Sequence, residues 1–163
     1  IKDVELDITS WARDHWRALE LNYKKSPAFH EVASWLAPLF DKQWNFLSDL
    51  NREFIEAICR YLEIPTVIRS SSEFQLKEEK TERLIHICRQ LEADIYLSGP
   101  AAKAYLDESK FNDVGITVTW MNYEGYPDYP QLWGPFQHNV SIVDLLFNCG
   151  KDSRQFMKYP GKT

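Results

Sequence analysis

Apolar residues recur every three or four positions from about residue 11 to residue 25. The members of this stripe are Ala12, Trp16, Leu19 and Tyr23. Residues at this spacing share one face of an α-helix, so the pattern predicts an amphipathic helix with one buried side. Thr9 or Ser10 precedes it with a side-chain oxygen suited to cap the free N–H groups of its first turn.

Two more helices are predicted in the first third of the chain. Ser26 and Pro27 indicate the start of the second helix, with Ser26 as its cap and Pro27 at its first position. The third helix is predicted over residues 45–62, where apolar residues again follow a helical period. Three helices in series predict a mainly helical part, residues 1–63, that packs beside a sheet.

The pattern changes after Pro65, because short runs rich in β-branched residues then alternate with helical stretches. The predicted strands are residues 66–69, 95–97 and 116–120, and the predicted helices are residues 78–91 and a stretch from Pro100. Such units pair in parallel through right-handed crossovers. The pattern predicts an α/β fold, a three-layer domain with a mostly parallel sheet and an N-terminal group of helices. Residues 1–163 are expected to form a single domain with a βαβαβ core in residues 64–163.

The turn after the middle strand, Ser98-Gly99-Pro100, has two interpretations. It is either an ordinary turn in which glycine supplies backbone freedom, or a ligand site at the carboxyl end of a parallel sheet. Ser70-Ser71-Ser72 and residues 120–123 follow the other predicted strands, so all three turns are expected at one edge. Lys80 and Lys103 are either solvated lysines or cations that attract an anion to this edge.

Residues 122–138 form a long stretch in which Pro and Gly alternate with aromatic residues. A loop of this length either packs its own rings onto the body of the protein or has a function. Ser141 is predicted to cap the helix that follows, which ends at Gly150. Asp144 lies in this otherwise apolar helix, so its carboxylate must face solvent, bond the loop or line a site.

Composition and charge disfavour several classes of function. A net charge of −5 without a long basic run disfavours nucleic-acid binding, and no apolar stretch is long enough for a membrane span. The three cysteines are widely spaced and the four histidines are scattered, so no metal site and no cofactor are predicted. The cysteines are expected to be reduced, as in a cytoplasmic protein. Nothing in the spacing supports Ser98 as a nucleophile with His15 or His138 as its base.

Several motifs taken together resemble the WbqC-like protein family. They are Tyr96-Leu97-Ser98-Gly99-Pro100, Tyr105-Leu106-Asp107, Tyr129-Pro130-Gln131-Leu132 and Leu145-Leu146-Phe147-Asn148-Cys149-Gly150, with Trp11, His15-Trp16, Tyr23 and Pro27 at the start. The likeness covers nearly the whole chain. Family members look longer, with an N-terminal segment bearing a His-x-Pro motif ahead of the point that corresponds to Ile1; that segment is expected to be absent here.

The resemblance implies an acyl or aminoacyl transferase, of a glycine-transferring type, that acts on a nucleotide-linked amino sugar in bacterial surface-polysaccharide (O-antigen) biosynthesis. By motif match, the expected catalytic residues are Ser98 and Asp144. The expected substrate-binding residues are Gly99, Lys80, Lys103, Tyr105, Asp107, Tyr129, Gln131 and Ser141. Ser98 and the Gly99 amide would hold a phosphate or carboxylate, and Asp144 would orient an amine. The alternative is a non-catalytic module that binds a small molecule or a protein through the aromatic loop 122–138.

Overall fold

The computed structural model describes residues 3–6, 11–76 and 79–158. Its helices and strands in chain order are α1 (Trp11–Tyr23), α2 (Phe29–Asp41), α3 (Leu47–Tyr61), α4 (Lys80–Gln90), β1 (Ile95–Ser98), α5 (Glu108–Asn112), β2 (Thr117–Trp120) and α6 (Ile142–Cys149). Short 3-10 helices lie at Ser71–Glu73, Pro100–Ala104 and Gly150–Phe156. The predicted α/β class, with N-terminal helices and a parallel sheet, is confirmed.

The chain divides into two compact units, which are described separately. Unit 1 comprises Ile1–Thr66 and Tyr126–Thr163, and unit 2 comprises Val67–Gly125. Unit 1 contains α1, α2, α3 and α6, and unit 2 contains α4, α5 and both strands. The assignment of residues 1–163 to a single domain stays a prediction.

The core of unit 1 is built from the apolar stripes of its helices. Its most buried members are Val32, Leu36, Leu62, Leu146 and Phe147. Trp16, Leu19 and Tyr23 of α1 pack against this core, as the helical period predicts. Each buried aliphatic or aromatic side chain contributes about 1.5–3 kcal/mol. The core therefore fixes α6 against α1 and α2, which decides where the side chains of α6 lie.

The predicted start of the second helix is wrong by two residues. α2 begins at Phe29, and the residue before it, Ala28, provides no side-chain cap. The Ser26 hydroxyl instead donates to the Tyr23 carbonyl oxygen, closing the turn after α1. The Ala28 N–H donates to the Phe147 carbonyl oxygen at 3.1 Å, so a tertiary hydrogen bond joins the residue before α2 to α6. The predicted caps Thr9 and Ser10 lie outside the described residues.

Unit 2 is organised around two parallel strands. The register pairs Ile95 with Thr117 and Ser98 with Trp120. Its core consists of Ile85, Cys88, Leu106, Phe111 and Ile116. The helix predicted over 78–91 is α4, and Glu78 lies outside the described residues. Since the strands are parallel, Ser98 and Trp120 end at the same edge, as predicted for these two turns.

The strand predicted over residues 66–69 is wrong: this segment pairs with no other described strand. Val67 is 79% exposed, so its β-branched side chain gains no burial from joining the sheet. The next residues form a 3-10 helix in which Ser70 and Glu73 cap each other. The serine run is therefore a local capping turn and does not follow a strand, so the predicted βαβαβ core has two strands among the described residues.

Candidate functional site

Asp144 accepts three side-chain hydrogen bonds in unit 1. The Tyr23 hydroxyl donates to Oδ1 at 3.0 Å. The Tyr129 hydroxyl donates to Oδ2 at 2.7 Å, and Gln131 Nε2 donates to the same oxygen at 3.0 Å. The first-turn position of Asp144 in α6 points its carboxylate at α1 and at the loop. The structure thus brings together three predicted site residues, Tyr129, Gln131 and Asp144, and adds Tyr23.

The two tyrosines of this cluster are held as hydrogen-bond donors. Burial, the hydrogen bond to Asp144 and its charge raise the pKa of Tyr23 to about 12. Burial and the hydrogen bond to Asp144 also raise the pKa of Tyr129. An acceptor that carries negative charge favours the protonated phenol in each case. Both hydroxyls therefore stay protonated at neutral pH and anchor Asp144; neither serves as a base.

The aromatic loop is fixed to the helices of unit 1 through this cluster. Two hydrogen bonds join Gln131 and Gln137. Gln131 Nε2 donates to the Gln137 carbonyl oxygen at 2.9 Å, and the Gln137 N–H donates to Gln131 Oε1 at 2.8 Å. The Trp133 indole N–H donates to the Asn22 carbonyl oxygen at 2.9 Å, although the residue is 58% exposed. The ring of Tyr129 packs edge-on against Phe136 at 5.0 Å. Each of these contacts holds part of the aromatic loop in place, although the loop has no helix or strand of its own.

A cleft of ≈ 470 Å³ opens beside this cluster. Its lining includes Glu31 from α2, Pro130 from the loop, Asn148 and Cys149 from α6, and Asp152 from the 3-10 helix after α6. The cleft falls within the size range of small-molecule sites, about 300–1,000 Å³. Pro130 lies between Tyr129 and Gln131 in the chain, so the Asp144 cluster holds one wall of the cleft.

Negative charge dominates the electrostatics of the cleft. Burial raises the pKa of the Cys149 thiol, and the charges of Asp152 and Asp144 raise it further. The Tyr61 hydroxyl donates to Glu31 Oε1 at 2.9 Å. Burial, this hydrogen bond and the charges of Glu31 and Asp152 raise the pKa of Tyr61. Cys149 is therefore a neutral thiol at neutral pH, which disfavours it as a nucleophile.

Gly150 allows the cleft to form at the end of α6. Its φ of +54° lies in the region that favours glycine. A Cβ atom there would lie 3.0 Å from Ala28 Cβ and 3.1 Å from Glu31 Oε2. The predicted end of the helix at Gly150 is confirmed. Glycine at this position also permits the close approach of α2.

In unit 2, Ser98 and Gly99 lie at the carboxyl edge of the sheet together with residues 120–123. Met121 N–H donates to the Ser98 carbonyl oxygen at 2.8 Å. A Cβ on Gly99 would lie 3.3 Å from Tyr123 Oη, which explains the small residue. Lys103 Nζ lies 5.4 Å from the centre of the Trp120 ring, a cation–π distance. Two of the three predicted turns therefore meet at this edge, with Lys103 beside Trp120, whereas Ser70-Ser71-Ser72 does not follow a strand.

Other predicted site residues have local roles in the structure. Asp107 caps α5, and its hydrogen bonds from Ser109 lower the pKa of its carboxyl. Ser141 caps α6 by accepting from the Val143 N–H, as predicted. Lys80 is the exposed first residue of α4, and Tyr105 is 63% exposed. Helix capping accounts for the positions of Asp107 and Ser141. A ligand-binding role for these two residues, and for Lys80 and Tyr105, remains a proposal.

Four residues around the Asp144 cluster and the cleft were not identified from the sequence as candidates: Tyr23, Glu31, Asn148 and Asp152. Tyr23 fits the apolar stripe of α1, which hides the role of its hydroxyl. Asn148 could be recognised from the sequence, because it is the second polar residue of an apolar helix and lies four positions after Asp144. Among the described residues, no group of three His, Cys, Asp or Glu side chains is suited to hold a metal ion.

Comparison with known proteins identifies a family and a relative of this chain. The model of the WbqC-like protein family matches residues 1–156. The uncharacterized protein Rv1507c of Mycobacterium tuberculosis is 48% identical over 160 residues, which cover 98% of this chain and 69% of that protein. No solved structure matches the chain. No helix in the described part of the chain is long and apolar enough to cross a membrane. With the family model matching nearly every residue, the chain belongs to the WbqC-like protein family.

Proposed function

We propose that this chain is an acyl or aminoacyl transferase, of a glycine-transferring type, that acts on a nucleotide-linked amino sugar in bacterial surface-polysaccharide (O-antigen) biosynthesis. Family membership supports the proposal, since the resemblance implies this chemistry. The observation that carries it is the cleft of ≈ 470 Å³ beside Asp144, Tyr129 and Gln131. A cleft of this size with carboxylate and amide groups suits a small polar substrate.

In such a reaction the amine nitrogen forms a bond to the carbonyl carbon of an activated acyl or aminoacyl donor. The bond from that carbon to its leaving group breaks, and the leaving group takes the electron pair. The amine gives up a proton, and a carboxylate of the cleft is suited to receive it. Glu31 and Asp152 are the carboxylates among the cleft-lining residues and are the candidates for this role.

The predicted site residues take distinct parts in this proposal. Asp144 acts as a positioning residue, because three donors occupy its carboxylate and it holds Tyr129 and Gln131, the neighbours of the cleft-lining Pro130. Ser98 and the Gly99 amide, at the sheet edge of unit 2, are proposed to hold a phosphate or carboxylate. Lys103 and Lys80 would add positive charge, while Tyr105, Asp107 and Ser141 are proposed binding residues with the local roles described above.

The test is a transfer assay with the full chain. Nucleotide-linked amino sugars are incubated with activated acyl and aminoacyl donors, and mass spectrometry detects the amide product. We expect product with the native chain and a lower kcat with little change in KM for Asp144→Asn, which keeps the shape but disturbs the positioning. Asp41→Asn removes an exposed carboxylate at the end of α2 and serves as the matched control. Absence of product with every donor contradicts the proposal.

The second candidate is a binding module that uses the aromatic loop. The observation that favours it is Trp133, whose ring is 58% exposed although its N–H is fixed to Asn22. Exposed, preordered aromatic residues are typical of contact surfaces. On this hypothesis Trp133→Ala abolishes capture of a partner in a pull-down and no transfer product forms. A transferase keeps its activity when Trp133 is replaced by Phe, which preserves the ring.

A further inference from the structure

One face of the two-stranded sheet in unit 2 is exposed. Successive side chains of a strand point to opposite faces, and in β1 and β2 exposed residues alternate with half-buried ones. The register pairs Ile95 with Thr117 and Leu97 with Thr119, so these four exposed residues share one face. Ile95 is 59% exposed and Leu97 is 56% exposed. Ile95, Leu97, Thr117 and Thr119 are called the open face below.

The opposite face of the same sheet is covered. Tyr96 and Val118 pack against the core of unit 2, to which α4 and α5 contribute side chains. The Tyr96 ring also stacks on the Phe111 ring of α5 at 5.1 Å. Parallel sheets in proteins are almost always buried on both faces, and two strands alone are marginally stable in water. The open face therefore lacks the second layer that a parallel sheet normally has.

The longer relative offers an occupant for the open face. The 160 matched residues make up 69% of Rv1507c, which leaves about 70 of its residues outside the match. A crossover between parallel strands, including its helix, takes about a dozen residues or more, so this length is sufficient for a covering layer. We propose that the open face is the docking surface for an apolar segment from the part of longer WbqC-like chains that lies outside the region matched here.

The size and chemistry of the open face favour a linked segment over a separate molecule. Stable interfaces between two proteins involve about 20–30 residues on each side, and the open face has four. A segment of the same chain is held at high effective concentration, so a few buried side chains suffice to dock it. Ile95 and Leu97 are aliphatic, the two threonines add methyl groups, and none of the four is charged. These groups suit the apolar side of a helix and offer no charge to an ionic ligand.

The experiment compares this 163-residue chain with an extended chain. In the extended chain, the part of Rv1507c outside the match is joined where Rv1507c carries it. Leu97→Cys is introduced into both and labelled with a maleimide, and the native cysteines give the background rate. We expect labelling to be at least tenfold slower in the extended chain, because docking covers the open face. Leu21→Cys, at a position of α1 that is 61% exposed, is the matched control and should react equally fast in both.

A second readout uses thermal unfolding of the same two chains. Leu97→Asp should lower the Tm of the extended chain by about 5 °C or more, because docking would bury the new charge. The same change should leave the Tm of the 163-residue chain within about 1 °C, since the position is exposed there. Leu21→Asp is the control and should have a small effect in both chains.

Three results overturn the proposal. The first is equal labelling of Leu97→Cys in the two chains, and the second is an equal loss of Tm from Leu97→Asp. The third is a dimer of the 163-residue chain in sedimentation that Leu97→Asp separates, because a second copy then covers the open face. If circular dichroism shows the extended chain unfolded, both cysteines are placed at the aligned positions of full-length Rv1507c. Labelling there should be at least tenfold slower at the position of Leu97 than at that of Leu21, and equal rates overturn the proposal.

Discussion

Asp144 and the pair Glu31 and Asp152 are carboxylates of the same unit in opposite situations. Three side-chain donors occupy Asp144, and they come from α1 and from the aromatic loop. Among the described residues, Glu31 and Asp152 each accept one side-chain hydrogen bond, and both line an open cleft. A satisfied carboxylate holds structure together, whereas one with vacant acceptor positions is available to a ligand. The family resemblance predicts Asp144 as a catalytic residue, yet its three hydrogen bonds support a positioning role.

The largest effect on stability is expected from Asp144→Ala. The change leaves two tyrosine hydroxyls and the Gln131 amide without their acceptor, and each partly buried unsatisfied donor costs about 1–3 kcal/mol. We expect the free energy of unfolding to fall by about 3 kcal/mol in total, because water will reach part of the site. Urea denaturation measures the change. A loss below about 1 kcal/mol would show that the cluster does not hold the loop.

Gly150→Ala tests how closely the cleft depends on the end of α6. The new Cβ would lie 3.0 Å from Ala28 Cβ in a backbone conformation with φ +54°. Contact and conformational strain together should lower the free energy of unfolding by about 1–3 kcal/mol. Urea denaturation measures this loss in the free energy of unfolding. Gly125→Ala, also at positive φ but with no atom within 4 Å of the added Cβ, is the control that isolates the steric contribution.

The structure is predictable from the sequence where one short stretch of chain determines the local conformation. The stripe of α1, the Ser141 cap and the end of α6 at Gly150 depend on neighbouring residues, and all three were predicted. The predicted start of α2 at Ser26 is wrong, because the Ser26 hydroxyl donates to the Tyr23 carbonyl oxygen and does not cap the helix. The predicted strand over residues 66–69 is also wrong, because β-branched residues form a strand only where a partner strand and burial are available.

The site was harder to predict than the fold for the same reason. Asp144 is a polar residue in an otherwise apolar helix, and Tyr129 and Gln131 are expected by motif match to the family; the structure brings the three together. Tyr23, 121 positions from Asp144, cannot be connected to it from spacing. The cleft likewise combines residues of α2, the loop and α6. Acids that are not ion-paired can be recognised only when their neighbours in space are known.

Tyr23→Phe gives a smaller effect with a distinct pH dependence. Loss of one hydrogen bond to a carboxylate should cost about 1–2 kcal/mol at neutral pH. The folded-state pKa of Tyr23 is raised to about 12 from an ordinary value of 10.0. Its contribution is therefore complete below pH 10 and is lost as the pH rises through 12.

The check on this prediction is urea denaturation at neutral pH and again at high pH. The difference between native chain and Tyr23→Phe should shrink as the pH rises. Tyr105→Phe changes an exposed tyrosine of unit 2 and should follow the native chain at every pH. A difference between native chain and Tyr23→Phe that stays constant with pH would contradict the bond to Asp144.

The smallest change in stability is expected from the carboxylates of the cleft. Glu31→Gln and Asp152→Asn remove charges that have no ion-pair partner among the described residues, so the free energy of unfolding should move by less than about 0.5 kcal/mol. Urea denaturation of these two variants and of Asp144→Asn measures the difference in stability directly. If either cleft variant loses as much stability as Asp144→Asn, its carboxylate has a structural role, and the distinction between a satisfied and an available acid fails. If both stay within that limit, the two charges contribute little to folding, as expected for carboxylates without an ion-pair partner among the described residues.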